Sequence, residues 1–408
     1  MFQLPRLGRS VRRARRDLAA PPPAPDGTVA RGLGHVPGFD GVRGVAVLIV
    51  FVSHMEIFLP IPQLLVVPGG TVSLDSFFVL SGFLITFLLL REQARRGRVS
   101  TPSFYSRRFL RLVPALFFML AAWTIFSYAM GTETHRYVPS LLSVLFYYSN
   151  YYVARSPNAF CANLAPGFQH LWSLSFEEQF YILWPWLTIA FLSVRHRLSA
   201  VVSVIGGAIV VIGVYRGLSY TGVNSWCSLF HQTQSRADAI LWGALLAHLW
   251  IRGRTPKRFI PLAATLCAVF LVACLPFTDL TGPFLYRGGF DAIDLACAVV
   301  LLGILDGRWR GRKVFELRPF VLLGMVSYGF YVWHLPLFYV VHDVGTNWSY
   351  PLRVVVAVAS TLAMTTLSWF LLERRAMRLK GRLSRQAEAS PDQAPGRQHV
   401  PVSMGEPP

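Results

Sequence analysis

An arginine and a histidine, Arg43 and His54, stand eleven positions apart in the stretch GFDGVRGVAVLIVFVSH. In a helix, ~100° per residue brings such a pair back to within ~20° of one face, ~16 Å apart along the axis. A neutral imidazole can take a proton from an attacking hydroxyl or itself carry an acyl group. A fixed guanidinium can hold a phosphate or an oxyanion. Each residue alone also has a plain structural reading, as a snorkelling arginine or a histidine bonded to a neighbouring helix. Both on one stripe of an apolar segment favour a polar cavity, because ionisable groups inside a membrane seldom face lipid. Arg43 and His54 are therefore candidate catalytic residues.

Other polar residues interrupt apolar runs further along. In LDSFFVLSGFLIT, Asp75 either orients His54 or sits wet at the interface, and Ser81 and Gly82 are small residues that let helices approach. Ser81 reads first as packing and second as a substrate contact. In SFYSRRFLRLVP, Arg107, Arg108 and Arg111 stand together, with Arg107 and Arg111 on one face. They anchor the chain at a charged membrane surface or bind the phosphates of a nucleotide-bearing donor. In HLWSLSFEEQFYILWPW, Glu177 and Glu178 point ~100° apart, so one of them is expected to face a cavity as base or acceptor-positioning group. Trp172 in the same stretch is an interfacial anchor or a platform for a sugar. QSRADAILWGALLA holds Arg236 and Asp238, read as a local ion pair. SYGFYVWHLPLF puts Tyr331 and His334 on one face in mid-membrane, as candidate substrate contacts.

The composition names the solvent of the scaffold that must hold these groups. Of 408 residues, 53% are hydrophobic and 14% charged, against about 25% charged in soluble domains. So much apolar surface calls for a bilayer. Apolar segments at 41–59, 72–91, 109–129, 171–194, 200–216, 237–251, 258–275, 289–306, 319–341 and 352–372 predict an all-α, polytopic transmembrane bundle of about ten spans. The short, tyrosine-rich patch Leu141–Tyr152 is expected to be interfacial or re-entrant. With both termini in the cytoplasm, 32 of the 39 Lys and Arg fall on the inner side, the asymmetry of the positive-inside rule. Placed in clusters between apolar runs, the +19 formal charge does not describe a nucleic-acid surface. Residues 1–36 read as a disordered basic and Pro-rich cytoplasmic tail, 37–380 as the membrane domain, and 381–408 as a disordered polar tail. The five cysteines show no CxxC and no zinc spacing, so no metal is expected. Cys161 and Cys227 both fall in outside loops and either remain thiols or pair.

In order and spacing, DGVRGVAVLIVFVSH, FFVLSGFLIT, SRRFLRLVP, WSLSFEEQFYILWP, SRADAILWGALLA, SYGFYVWHLPL and LLERR resemble acyltransferase family 3, the integral-membrane O-acyltransferases. The likeness runs from about Gly38 to Arg378. It implies transfer of an acyl group, most commonly acetyl, from a cytoplasmic acyl-CoA to a hydroxyl of a surface polysaccharide, a peptidoglycan sugar or a glycosylated small molecule. The acyl group would cross a multi-pass cytoplasmic membrane protein. The family's arginine–histidine signature falls on Arg43 and His54. Its basic donor-side motif falls on Arg107, Arg108 and Arg111, its glutamate on Glu177 or Glu178, and its late histidine on His334. Some members carry a fused extracytoplasmic hydrolase-like domain; the polar tail after Arg378 gives the expectation that it is absent here. The rival function is a proton-coupled transporter with Arg43, His54, Asp75 and His334 as its relay. A carrier moves solute without covalent change, and no inverted repeat is evident in these segments. A membrane scaffold without chemistry would leave the mid-membrane polar residues unexplained.

Overall fold

A computed structural model describes residues 34–58, 69–131, 135–156, 161, 163–193, 198–256 and 258–376. The expected tails, 1–36 and 381–408, lie outside the described residues except for 34–36. Among the described residues every regular element is a helix. The long ones are α1 (Pro37–Phe58), α2 (Gly70–Arg96) and α3 (Thr101–Ala129). Short α4 (Tyr137–Leu145) and α5 (Ser149–Ala154) lead to α6 (Trp172–Ser193), α7 (Leu198–Ser219) and short α8 (Trp226–His231). Then come α9 (Thr233–Ile251), α10 (Ile260–Phe277), α11 (Phe290–Asp306) and a single turn, α12 (Arg312–Phe315). The chain closes through α13 (Arg318–Met325), α14 (Ser327–Val344) and α15 (Tyr350–Ser368).

Each of the ten apolar segments holds a helix, but they are not alike. Among the described residues seven helices, α1, α2, α3, α7, α10, α11 and α15 with their flanking turns, are long and apolar enough to cross a membrane. The segment expected as one span at 319–341 is instead a bent pair, α13 and α14, with axes 76° apart. The break lies between Gly324 and Ser327, and sharp bends concentrate at such Gly/Ser sites. α6 and α9 fall short of the same apolar test because they carry the polar residues of the interior, among them Glu177, Glu178, Arg236 and Asp238. The Leu141–Tyr152 patch forms α4 and α5, too short to span. α5 is tied inward: the Asn150 amide donates to the His231 carbonyl and to Thr233 Oγ1. The chain is a multi-pass membrane protein, and α7 and α10 show side chains such as Val211, Leu218, Leu266 and Val272 to the surroundings, as lipid-facing helices do.

Close backbone contact sets the inner helices. α2 lies on α9, where a Cβ at Gly82 would strike the Ile240 carbonyl and one at Gly243 the Val79 carbonyl. α13 lies across the first half of α1, with Gly44 on the Phe320 carbonyl and Gly324 on the Asp40 carbonyl. Small residues permit this approach, which dispersion then rewards. α14 packs beside α1 through aromatic rings: Phe51 meets Phe330 at 5.0 Å and Phe338 at 4.8 Å between centroids. That contact brings His54 to His334.

Cys161 and Cys227 are joined in a disulfide, 66 positions apart. Cys227 sits on α8, whose Phe230 borders a cavity described below. Closing a loop of that length constrains the unfolded chain, so Cys161→Ser is expected to lower stability by roughly 2–4 kcal/mol. Thermal unfolding in detergent without reductant reads this; an unchanged midpoint would mean that the bond holds nothing in place.

Candidate active site

Among the described residues, two cavities within the bundle hold the candidate residues. One, of about 540 Å³, is lined by Arg43 of α1, Arg108 and Arg111 of α3, Ser81 of α2 and Glu177 and Tyr181 of α6. The other, of about 580 Å³, is lined by His54 of α1, with His170 and Trp172 at the start of α6 and Phe230 of α8. Leu74 of α2 and Tyr331 of α14 line both. The stripe of α1 that carries Arg43 and His54 thus opens into a cavity at each level, and Leu74 and Tyr331 stand where the two meet.

The first cavity is cationic and partly unspent. Arg108 donates to Glu178 Oε1 from Nε (3.0 Å) and Nη2 (2.8 Å), and its guanidinium lies 3.1 Å above the Tyr181 ring. That carboxylate and the ring occupy it from two sides. Among the described residues the ion pair of Arg43 is with Asp40, at 3.8 Å. Arg111 has no carboxylate partner among the described residues. Two guanidiniums therefore face one space with charge to offer an anion. Ser81 Oγ donates to Glu177 Oε1 at 3.0 Å and holds that carboxylate in the cavity wall.

The second cavity contains the imidazoles. His54 Nδ1 lies 2.9 Å from His334 Nε2, with the rings stacked 5.0 Å apart. His170 sets its ring edge-on to His334 at 5.0 Å and directs Nε2 to the Val332 carbonyl at 3.2 Å. Tyr331 donates its hydroxyl to the His170 carbonyl at 2.6 Å and meets Ser173 Oγ at 2.6 Å. Trp172 is buried against His231 (4.5 Å) and Phe230 (5.1 Å), so it walls the cavity and does not float in an interfacial belt.

Several sequence expectations are corrected by this geometry. Asp75 neither orients His54 nor sits in water; it is fully buried and paired with Arg236. Arg236 and Asp238 are not a local pair, because Asp238 pairs with Arg216 of α7 at 2.6 Å. Residues two apart on a helix point to opposite sides, so their partners come from other helices. Arg107 turns away from the cavity to Glu92 and Ser103, and of the three α3 arginines those that line the cavity are Arg108 and Arg111, one helical turn apart. Glu177 lines the arginine cavity and Glu178 binds Arg108, so neither lines the histidine cavity. His334 lies behind His54 and does not line the cavity itself. His170 was missed, although it opens the HLWSLSFEEQFYILWPW stretch; the only signal was an unassigned histidine beside an apolar run.

Known proteins share this arrangement of sequence. The peptidoglycan O-acetyltransferase OatA of Listeria monocytogenes is 28% identical over 354 residues, 83% of this chain and 55% of that protein. YrhL of Bacillus subtilis, provisionally named a peptidoglycan O-acetyltransferase, is 31% identical over 359 residues, 83% of this chain and 54% of that protein. The chain spans about half the length of the curated relatives it matches. No solved structure matches it. The family model described as an acyltransferase domain covers residues 36–373, from the residue before α1 to just beyond α15, and the chain belongs to that family.

Proposed function

We propose that this chain is a membrane O-acetyltransferase that moves an acetyl group from acetyl-CoA on the cytoplasmic side to a sugar hydroxyl of peptidoglycan on the other. The observation that carries the reading is the pair of cavities sharing Leu74 and Tyr331, one lined by Arg43, Arg108 and Arg111 and the other by His54. The donor's phosphates dock on Arg43 and Arg111, with Arg108 held beside them by Glu178. The thioester reaches inward along the apolar wall of α2 toward the Leu74–Tyr331 boundary. The acceptor hydroxyl enters the second cavity, where Trp172 offers a face to a sugar ring.

Two routes meet at His54. In the first, the imidazole takes the hydroxyl proton while that oxygen attacks the thioester carbonyl; the C–S bond breaks and the proton passes to the leaving thiolate. In the second, the imidazole attacks the carbonyl and the C–S bond breaks to release the thiolate; the acceptor hydroxyl then takes the acetyl group from nitrogen, and its proton passes to the thiolate. The names of OatA and YrhL support peptidoglycan as acceptor.

The test compares cell walls of the native host with and without the gene, digested to muropeptides and weighed by mass spectrometry. Loss of the one-acetyl mass increment is expected, and the same loss with Arg111→Glu in place of the parent protein. Unchanged muropeptide masses would remove peptidoglycan as the acceptor. Transport of a labelled solute into vesicles without covalent change would favour a carrier.

A further inference from the structure

The contact between His54 and His334 contains one hydrogen, and its surroundings say which ring owns it. His334 directs Nδ1 to the backbone carbonyl of Tyr331, 2.5 Å away. A carbonyl oxygen only accepts, so His334 Nδ1 carries a hydrogen and donates it. A neutral imidazole has a single N–H, which leaves His334 Nε2 bare. That bare nitrogen is the atom 2.9 Å from His54 Nδ1. The shared hydrogen therefore sits on His54 Nδ1, and the lone pair of His54 is on Nε2.

The rest of the pocket holds this chain of donors in place. His334 is buried, with His170 edge-on at 5.0 Å, Phe338 edge-on at 5.6 Å and Phe51 at 6.2 Å between centroids. These rings leave it little room to turn. The Tyr331 carbonyl is fixed by the helix that carries it. His54 itself borders the cavity. A histidine with one ring nitrogen engaged by a fixed partner and its side chain at a cavity wall has the arrangement that a base or nucleophile requires.

We propose that His334 is a positioning residue, which through the Tyr331 carbonyl fixes His54 in its Nδ1–H tautomer and makes Nε2 the reacting atom. The proposal rests on the reading of His54 as the residue of transfer, and it serves both routes. As a base, Nε2 takes the acceptor proton and the ring becomes an imidazolium. As a nucleophile, Nε2 forms the bond to the acyl carbon as the C–S bond breaks, and the ring becomes an acyl-imidazolium. In each case the cation keeps its Nδ1–H on His334.

Nitrogen NMR of the full chain in lipid nanodiscs, with isotope-labelled histidine and His54→Gln to assign the signal, reads the tautomer directly. The parent protein is expected to show a protonated Nδ1 and a bare Nε2 for His54; the opposite pattern overturns the proposal. His334→Ala should mix the tautomers and lower kcat on the order of 10²-fold with KM little changed. His334→Gln, which offers an amide oxygen near the lost Nε2, should restore part of kcat. Parental kcat in His334→Ala, or no recovery in a folded His334→Gln protein, also overturns it. The spectrum of the parent needs no substrate. An absence of transfer to any acceptor would therefore sink the proposed activity, while the tautomer would still be read on its own.

Discussion

Replacing His54 with glutamine is expected to lower acetyl transfer by about 10²–10⁴-fold, the range lost when a positioned acid–base group is removed. Glutamine keeps a polar side chain of similar reach, so the wall of the cavity lined by His170, Trp172 and Phe230 is retained. It can still donate to His334 Nε2, the partner 2.9 Å away in the parent. What it lacks is a basic lone pair that can take a proton or accept an acyl group. The comparison is therefore between two folded proteins that differ in one capacity. Membranes carrying each, supplied with labelled acetyl donor and peptidoglycan acceptor, give the rates. Size-exclusion profiles in detergent show that both proteins are intact. A variant that keeps the parental rate would remove His54 from the chemistry and leave the His54–His334 contact as a packing feature.

The fold could be read in the sequence to the extent that helix existence follows from apolar length. All ten apolar segments hold helices, because a bilayer leaves a backbone few other ways to satisfy its own hydrogen bonds. The bend between α13 and α14 was not legible, since the apolar run continues through it; it lies where Gly324 meets α1, a partner 284 positions away. For the site, helical period alone put Arg43 and His54 on one stripe, and both line cavities. Period could not say that the stripe borders two cavities that share Leu74 and Tyr331. Nor could it find the His54–His334 bond, which depends on α14 lying beside α1. The arginine cluster shows the same limit. A shared face joined Arg107 to Arg111 in the sequence, but Glu92 and Ser103 draw Arg107 aside, and Arg108 is drawn inward by Glu178.

The ion pairs of α9 show what the polar interior does for stability. Arg236 pairs with Asp75 of α2 and lies 3.5 Å over the Phe290 ring of α11. Arg216 of α7 pairs with Asp238 of α9 and with Asp291 of α11, each at 2.6 Å. Four helices are thereby joined through charges that, Asp291 apart, are fully buried. Taking such charges out of water is costly, and a pair is close to neutral only while both members remain. Asp75→Asn removes one charge and takes from the buried guanidinium of Arg236 its ion-pair partner. The expected loss is about 3–5 kcal/mol, the usual consequence of breaking a buried pair. It should appear as a marked fall in the unfolding midpoint in detergent. The double variant Asp75→Leu with Arg236→Met removes both charges and their desolvation together, so it should recover most of the lost stability. Recovery would show that the single variant fails through an orphaned charge and not through lost packing at α2. If Asp75→Asn unfolds at the parental midpoint, the Asp75–Arg236 pair does not join α2 to α9, and their contact rests on the close approach at Gly82 and Gly243 and the apolar packing of Phe78 on Ile240.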